Sequence, residues 1–271
     1  MKNKQLILST LLLTSLVTLS ACGDVIGTGG NLDRIVSKKT LVVGTNAEYA
    51  PFEYLDGASQ TVKGFDIDVV GLIKQKIETD YNIELNVVIK DMAFDGLIGA
   101  MTSSQIDFIA AAFTRTSQRE KSLLFSDIYY QAKTVVVTKT NQTKITDYAS
   151  LTGLKLGAQL GTVQVDFANE ASGDVNKVKA LGSLATLISD LEVGNLDGLL
   201  VERPVALNII NKNSGYQIID SIDFADDEGY AFATNFGSNK LVTRINEVIS
   251  ESMASGVLNQ LFVDALTDSL D

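Results

Sequence analysis

The chain has 271 residues, of which 45% are hydrophobic, 20% are charged and only two are proline; that composition suits one large or two modest domains and excludes disorder over most of its length. With 22 basic against 33 acidic side chains and a net charge of −11, it lacks the footprint of a nucleic-acid binder or of a body lying flat on an anionic bilayer. It has no histidine and a single cysteine, so a disulfide and a His-based general base are both excluded.

Residues 1–21 read as a signal peptide. Lys2 and Lys4 form a positive start, and Leu6 to Leu19 form an apolar run broken only by Ser and Thr. That run is shorter than the ~20 apolar residues a spanning helix needs. Leu19-Ser20-Ala21-Cys22 resembles a bacterial lipobox, so Cys22 is expected to be cleaved and diacylated. Two acyl chains hold firmly where one is marginal. The protein is therefore expected outside the cytoplasm, anchored by lipid to the cell membrane. Residues 22–36 are expected to form a tether, Gly-rich from Gly23 to Asn31. Residues 1–21 carry two lysines and no acid, so the remainder has 20 basic and 33 acidic side chains, a net of −13.

Thr40 to Thr45 is β-branched and apolar, a buried strand. Asn46 to Phe52 follows as a loop at its end. Phe52 to Leu55 and Val62 to Phe65 predict a hairpin across Asp56-Gly57. Asp66 is expected to cap a helix whose apolar positions Ile67, Val70, Ile73 and Ile77 have helical spacing. Leu85 to Ile89 predicts a strand, Phe94 a turn, and Leu97, Ile98 and Met101 the next helix. Phe108 to Phe113 is an apolar strand running into Thr114, with Arg119 five residues on. This β-α-β-α-β alternation predicts a mainly parallel sheet with helices on both faces. Ligands on such sheets lie outside the carboxyl ends of strands. Three segments fall there: Asn46 to Phe52, Met92 to Asp95, and Ala111 to Arg119.

The pattern then restarts. Thr134 to Thr138, Lys155 to Leu160, Val178 to Leu181, Gly198 to Val201, Tyr216 to Ile219 and Tyr230 to Ala233 predict strands. Val163 and Leu184 open helices between them, Pro204 fits a first helical turn, and residues 239–266 predict two terminal helices. Met101 to Ala111 (MTSSQIDFIAA) echoes Leu191 to Val201 (LEVGNLDGLLV): a helix end, an apolar residue, Asp, then a buried strand. Two similar halves follow, with residues 37–132 and 231–271 as lobe 1 and residues 133–230 as lobe 2. Two crossing segments without a flexible linker predict a hinge.

At Arg119 the chemistry becomes specific. A strand end offers unpaired backbone groups, Thr114 adds a hydroxyl, and a guanidinium grips a carboxylate through two parallel bonds. Such a set suits a small zwitterion.

The motifs GTNAEYAPFEY (44–54), GFDIDV (64–69), FDGLIGAM (94–101), IDFIAAAFTRTSQREKSLLFSDIYY (106–130), LGAQLGT (156–162) and LDGLLVE (196–202) span most of the mature chain. Together they resemble the bacterial extracellular solute-binding proteins of family 3, the polar amino-acid receptors of ABC importers. The resemblance implies an α/β, two-lobed periplasmic-binding-protein-like (type II) fold, each lobe a mainly parallel sheet flanked by helices. It implies that Arg119 clamps the ligand carboxylate, aided by the amides of Thr162 and Val163. It implies that the Thr114 hydroxyl binds the ligand backbone and that the Ala112 carbonyl and Glu202 hold the ammonium, with Glu202 where the family usually has Asp. Tyr49 and Phe94 match the aromatics that sandwich the ligand side chain; Asn46 and Gln159 stand at side-chain-reading positions.

The implied partners are a free L-amino acid, an ABC permease and the membrane reached through the lipid, with no nucleic acid, no cofactor, no metal and a monomeric chain. Asn46 brings no negative charge, which suits a neutral polar ligand side chain; Glu48 or Glu202 restores that charge if either points inward. Two alternatives stay open: an enzyme on the same scaffold, similar to the cyclohexadienyl dehydratases and using Glu202 or Glu48 as a buried acid, and a ligand sensor.

Overall fold

A computed structural model describes residues 31–131, 133–224 and 229–270. The expected signal peptide, the lipidation site Cys22 and the first part of the tether lie outside the described residues, as does Ala132 at the proposed lobe boundary.

Residues 31–36, expected as tether, belong to the fold instead. They lie in helix α1 (Asn31–Lys38), which buries Leu32 and Ile35 completely. Two apolar residues three apart face one way on a helix, enough to seat even a short one.

The first sheet begins with β1 (Thr40–Thr45). A small three-stranded sheet follows: β2 (Glu48–Tyr49), β3 (Glu53–Leu55) and β4 (Val62–Lys63), all antiparallel. Helix α2 (Phe65–Tyr81) buries Phe65, Val69, Ile73 and Ile77, one residue per turn, and stops where Asn82 turns left-handed. Then come β5 (Asn86–Asp91), α3 (Leu97–Thr102), β6 (Phe108–Ile109) and β7 (Leu124–Phe125). The expected strand from Phe108 to Phe113 is regular for only its first two residues.

The second sheet is built from β8 (Thr134–Lys139), β9 (Leu156–Gln159), β10 (Val178–Leu181), β11 (Gly198–Glu202) and β12 (Tyr216–Ile219). Between them run α4 (Val163–Ser172), α5 (Leu184–Glu192) and α6 (Arg203–Lys212). The chain then returns to the first sheet through β13 (Ala233–Thr234) and ends in α7 (Asn239–Ser255) and α8 (Val257–Leu270).

Strand order is β5-β1-β6-β13-β7 in one sheet and β10-β9-β11-β8-β12 in the other. In each, three neighbouring strands are parallel and the rest antiparallel. Helices cover both faces, so side chains on both sides of a strand are buried. In the second sheet Val135, Val137, Leu199 and Val201 pack in one apolar cluster with Leu187, Leu191 and Ile209, while Val136 and Leu200 pack in another with Ala158, Ala168 and Ala171.

The sequence echo has a structural counterpart. Asp107 Oδ2 accepts the Val42 amide at 2.8 Å, and Asp197 Oδ2 accepts the Lys155 amide at 2.9 Å. The residue before each Asp presses on a glycine of the neighbouring strand. A Cβ on Gly44 would lie 2.4 Å from Ile106 Cδ1, and one on Gly157 would lie 2.5 Å from Leu196 Cδ1. The same joint is thus made twice.

Two segments cross between the sheets and bond to one another. Tyr230 bridges both Thr114 and Tyr130, and its amide reaches the Tyr130 carbonyl at 2.7 Å. Helix α8 provides a further tie. It packs on α2 and α7, yet its last turn meets α6, where the Asn208 amide donates to the Ser269 carbonyl at 2.8 Å.

Candidate functional site: a cleft between two sheets

The cleft lies where the carboxyl ends of the parallel strands of both sheets face each other. Asn46 follows β1, Tyr49 lies on β2, and Phe94 opens the turn before α3. Ala112 and Thr114 follow β6, and Arg119 begins a single 3-10 turn. From the second sheet come Gln159 at the end of β9, Thr162 and Val163 at the start of α4, and Glu202 at the end of β11. The ten residues that the family resemblance implies stand at or beside strand ends or helix starts, and Asn46, Tyr49, Arg119, Gln159 and Glu202 make bonds across this cleft.

Arg119 is only 9% exposed. Its guanidinium lies 4.0 Å from the Phe113 ring centre and 5.6 Å from that of Phe94, so its flat face is covered by aromatic carbon. It donates to the Thr114 carbonyl and, across the cleft, to the Gly161 carbonyl at 2.9 Å. Burial lowers its pKa to about 10, with the charge of Glu202 opposing that shift. Arg119 is therefore cationic at neutral pH, and it feels the carboxylate on the other lobe.

Glu202 is 3% exposed. Tyr49 donates its hydroxyl proton to Glu202 Oε2, and Gln164 donates to Oε1 at 2.9 Å. Burial raises the Glu202 pKa, and the bonds from Tyr49 and Gln164 hold it down. Gln164, 2% exposed, also reaches Thr134 Oγ1 at 3.1 Å. Sequence reasoning missed Gln164; a lone Gln in a first helical turn carries no pattern that marks it.

At the other end of the site Gln159 donates to Asn46 Oδ1 at 2.7 Å, while Asn46 donates to the Met92 carbonyl at 2.9 Å. This corner is polar and neutral. Glu48 does not supply a charge there: its Oε2 accepts the Leu184 amide of α5 at 2.8 Å.

Asp66 is not the helix cap it resembles in sequence. Gly64 stands at the N-cap position of α2, and the Asp66 carboxylate is fully buried. It accepts the Ala112 amide at 2.9 Å and both its oxygens meet the Tyr129 hydroxyl, at 2.7 and 2.8 Å. Burial pushes its pKa up to about 7. It thereby fixes the backbone at Ala112, which has φ +43. A second buried acid, Glu53, has no hydrogen-bond partner among the described residues, and burial pushes its pKa up strongly.

The Thr162 amide and hydroxyl both turn back to the Gln159 carbonyl, at 3.2 and 2.7 Å. Val163 is the first residue of α4, where amides lack intrahelical acceptors and the helix dipole is positive. Gly161 has φ +87, and a Cβ there would lie 3.1 Å from the Asp95 backbone across the cleft. Only glycine lets the two lobes approach so closely at this point.

The sequence pattern of the bacterial extracellular solute-binding proteins, family 3, matches residues 41–265, so the chain belongs to that family. Among its relatives is the arginine-binding extracellular protein ArtP of Bacillus subtilis, 31% identical over 247 residues and covering 90% of each chain. Its fold is similar to that of the amino acid ABC transporter substrate-binding protein AbpA of Streptococcus pneumoniae bound to L-arginine. That match has a TM-score of 0.81 and 28% identity over 88% of this chain and 99% of the other. An ancestral arginine-binding protein bound to glutamine is similar as well, with a TM-score of 0.74 and 31% identity over 83% and 96% of the two chains.

Proposed function

We propose that this chain captures one free L-α-amino acid between its lobes and presents it to an ABC permease. The observation that carries the reading is that a buried Arg119 and a buried Glu202 each bond across one cleft, Arg119 to the Gly161 carbonyl and Glu202 to the Tyr49 hydroxyl. A zwitterion satisfies both only when the lobes meet, so it favours the closed form by its differential affinity. In this reading Arg119 and Val163 take the carboxylate, with Thr162 joining them once its amide leaves the Gln159 carbonyl, Thr114 binds the ligand backbone, and Glu202 and the Ala112 carbonyl take the ammonium. Tyr49 and Phe94 flank the side chain, and Asn46 and Gln159 read its tip. Residues 133–230 form the moving lobe, and the lobe made of residues up to 132 and from 231 starts at Asn31.

The neutral Asn46–Gln159 corner supports an uncharged polar ligand side chain, such as an amide. The arginine-binding relatives support a cationic one instead. A calorimetric panel of all common amino acids decides between them: a Kd for glutamine at least tenfold below that for arginine supports the neutral reading, and the reverse order supports the cationic one. No binding across the panel refutes the capture reading. The buried, upshifted Glu202 favours one other possibility, an acid-catalysed dehydratase, and turnover of prephenate or arogenate by the purified protein is its test. We also propose attachment through a diacylated Cys22 and action as a monomer. Incorporation of labelled palmitate that Cys22→Ala abolishes tests the first; the molar mass in solution tests the second.

A further inference from the structure

Four side-chain hydrogen bonds join the facing rims of the cleft among the described residues. They are Asn46 with Gln159, Tyr49 with Glu202, Arg119 with the Gly161 carbonyl, and Glu48 with the Leu184 amide. The first three use groups that a bound amino acid would contest. The fourth uses none of them.

Side chains alternate along a strand. On β2, Tyr49 turns into the pocket and reaches Glu202, while Glu48 turns the other way and reaches α5. Leu184 is the first residue of α5, a nine-residue helix, so its amide has no acceptor within the helix. That helix end is also positive, which suits a carboxylate. Glu48 and Leu184 together line part of a cavity of about 360 Å³ that lies outside the pocket, with Leu55 and Ile188 among its walls. Glu48 itself is exposed, so the helix end rather than exclusion of water favours the bond.

We propose that Glu48 is a latch for lobe closure: a positioning residue that never touches the amino acid yet sets how long the lobes stay shut around it. This rests on the capture reading. One residue of β2 reads the ligand and its neighbour holds the door. The bond exists only when the lobes meet, so its loss weakens the closed form and leaves the open form alone. Dissociation is then accelerated, and association to the open form is not.

The test pairs stopped-flow kinetics with hydrogen exchange at the Leu184 amide, in the wild type, Glu48→Gln and Glu48→Ala. Glu48→Ala is expected to release the amino acid about five- to tenfold faster, with association unchanged within about twofold. Glu48→Gln keeps a neutral acceptor and is expected to fall between. The Leu184 amide is expected to exchange faster in Glu48→Ala than in the wild type. An unchanged off-rate overturns the latch, as does a loss confined to the on-rate. If the wild type binds no amino acid, the capture reading fails and the latch with it; if it binds but the Leu184 amide exchanges equally in ligand-saturated wild type and Glu48→Ala, the latch alone is overturned.

Discussion

Gln159 reaches across the cleft to Asn46 at 2.7 Å, and neither partner carries a charge. Placing a carboxylate there changes what the corner attracts. Asn46→Asp is expected to shift the ratio of affinities for arginine over glutamine at least tenfold toward arginine, since a partly buried charge interacts strongly with a cation. It also removes the donor to the Met92 carbonyl, so affinity for neutral amino acids should fall. Competitive calorimetry measures both.

Arg119 is the group whose loss should be felt most. Removing one partner of a buried charge pair costs ~2–5 kcal/mol, or roughly 30- to 5000-fold in affinity. Arg119→Ala is expected to lose binding on that scale with unchanged far-UV circular dichroism. Arg119→Lys keeps the charge but not the fork geometry and should recover only part of the loss.

The buried acids make stability depend on pH in a defined direction. Asp66, upshifted to about 7, keeps its proton in the folded state where the unfolded chain has released it. The stability this group contributes is therefore full below about pH 4 and is lost as pH rises to about 7, by about 1.4 kcal/mol per unit. Glu53 and Glu202 are shifted in the same direction. Urea unfolding at pH 5 is expected to give a higher midpoint than at pH 8, and Asp66→Asn should flatten part of that slope.

The repeated joint is open to a double-mutant cycle. Gly157→Ala drives a Cβ into Leu196, which should cost about 1–3 kcal/mol. Leu196→Ala opens the space and leaves a cavity costing about 2–5 kcal/mol. The pair together should cost clearly less than the sum, and additive costs would show that the contact is not the constraint.

Much of this was legible beforehand because it is periodic. The alternation of strands and helices told of a sheet covered on both faces, and the echo around Asp107 and Asp197 told of two like halves. The proposed site residues could be named through motifs, and each stands at or beside the end of a strand or the start of a helix. What escaped was long-range. Asp66 looks like a cap because its carboxylate follows a glycine at a helix start, but its partners are 46 and 63 residues away. Gln164 bonds residues 30 and 38 positions distant. No local pattern encodes such partners; only the folded chain brings them within hydrogen-bonding distance.

The closing turn of α8 has a practical side for anyone building a reporter from this receptor. Its carboxyl end is pinned to α6, so a dye or fluorescent fusion attached behind Leu270 would sit at the seam rather than at a freely swinging end. Such a probe would register little displacement and would strain the seam itself.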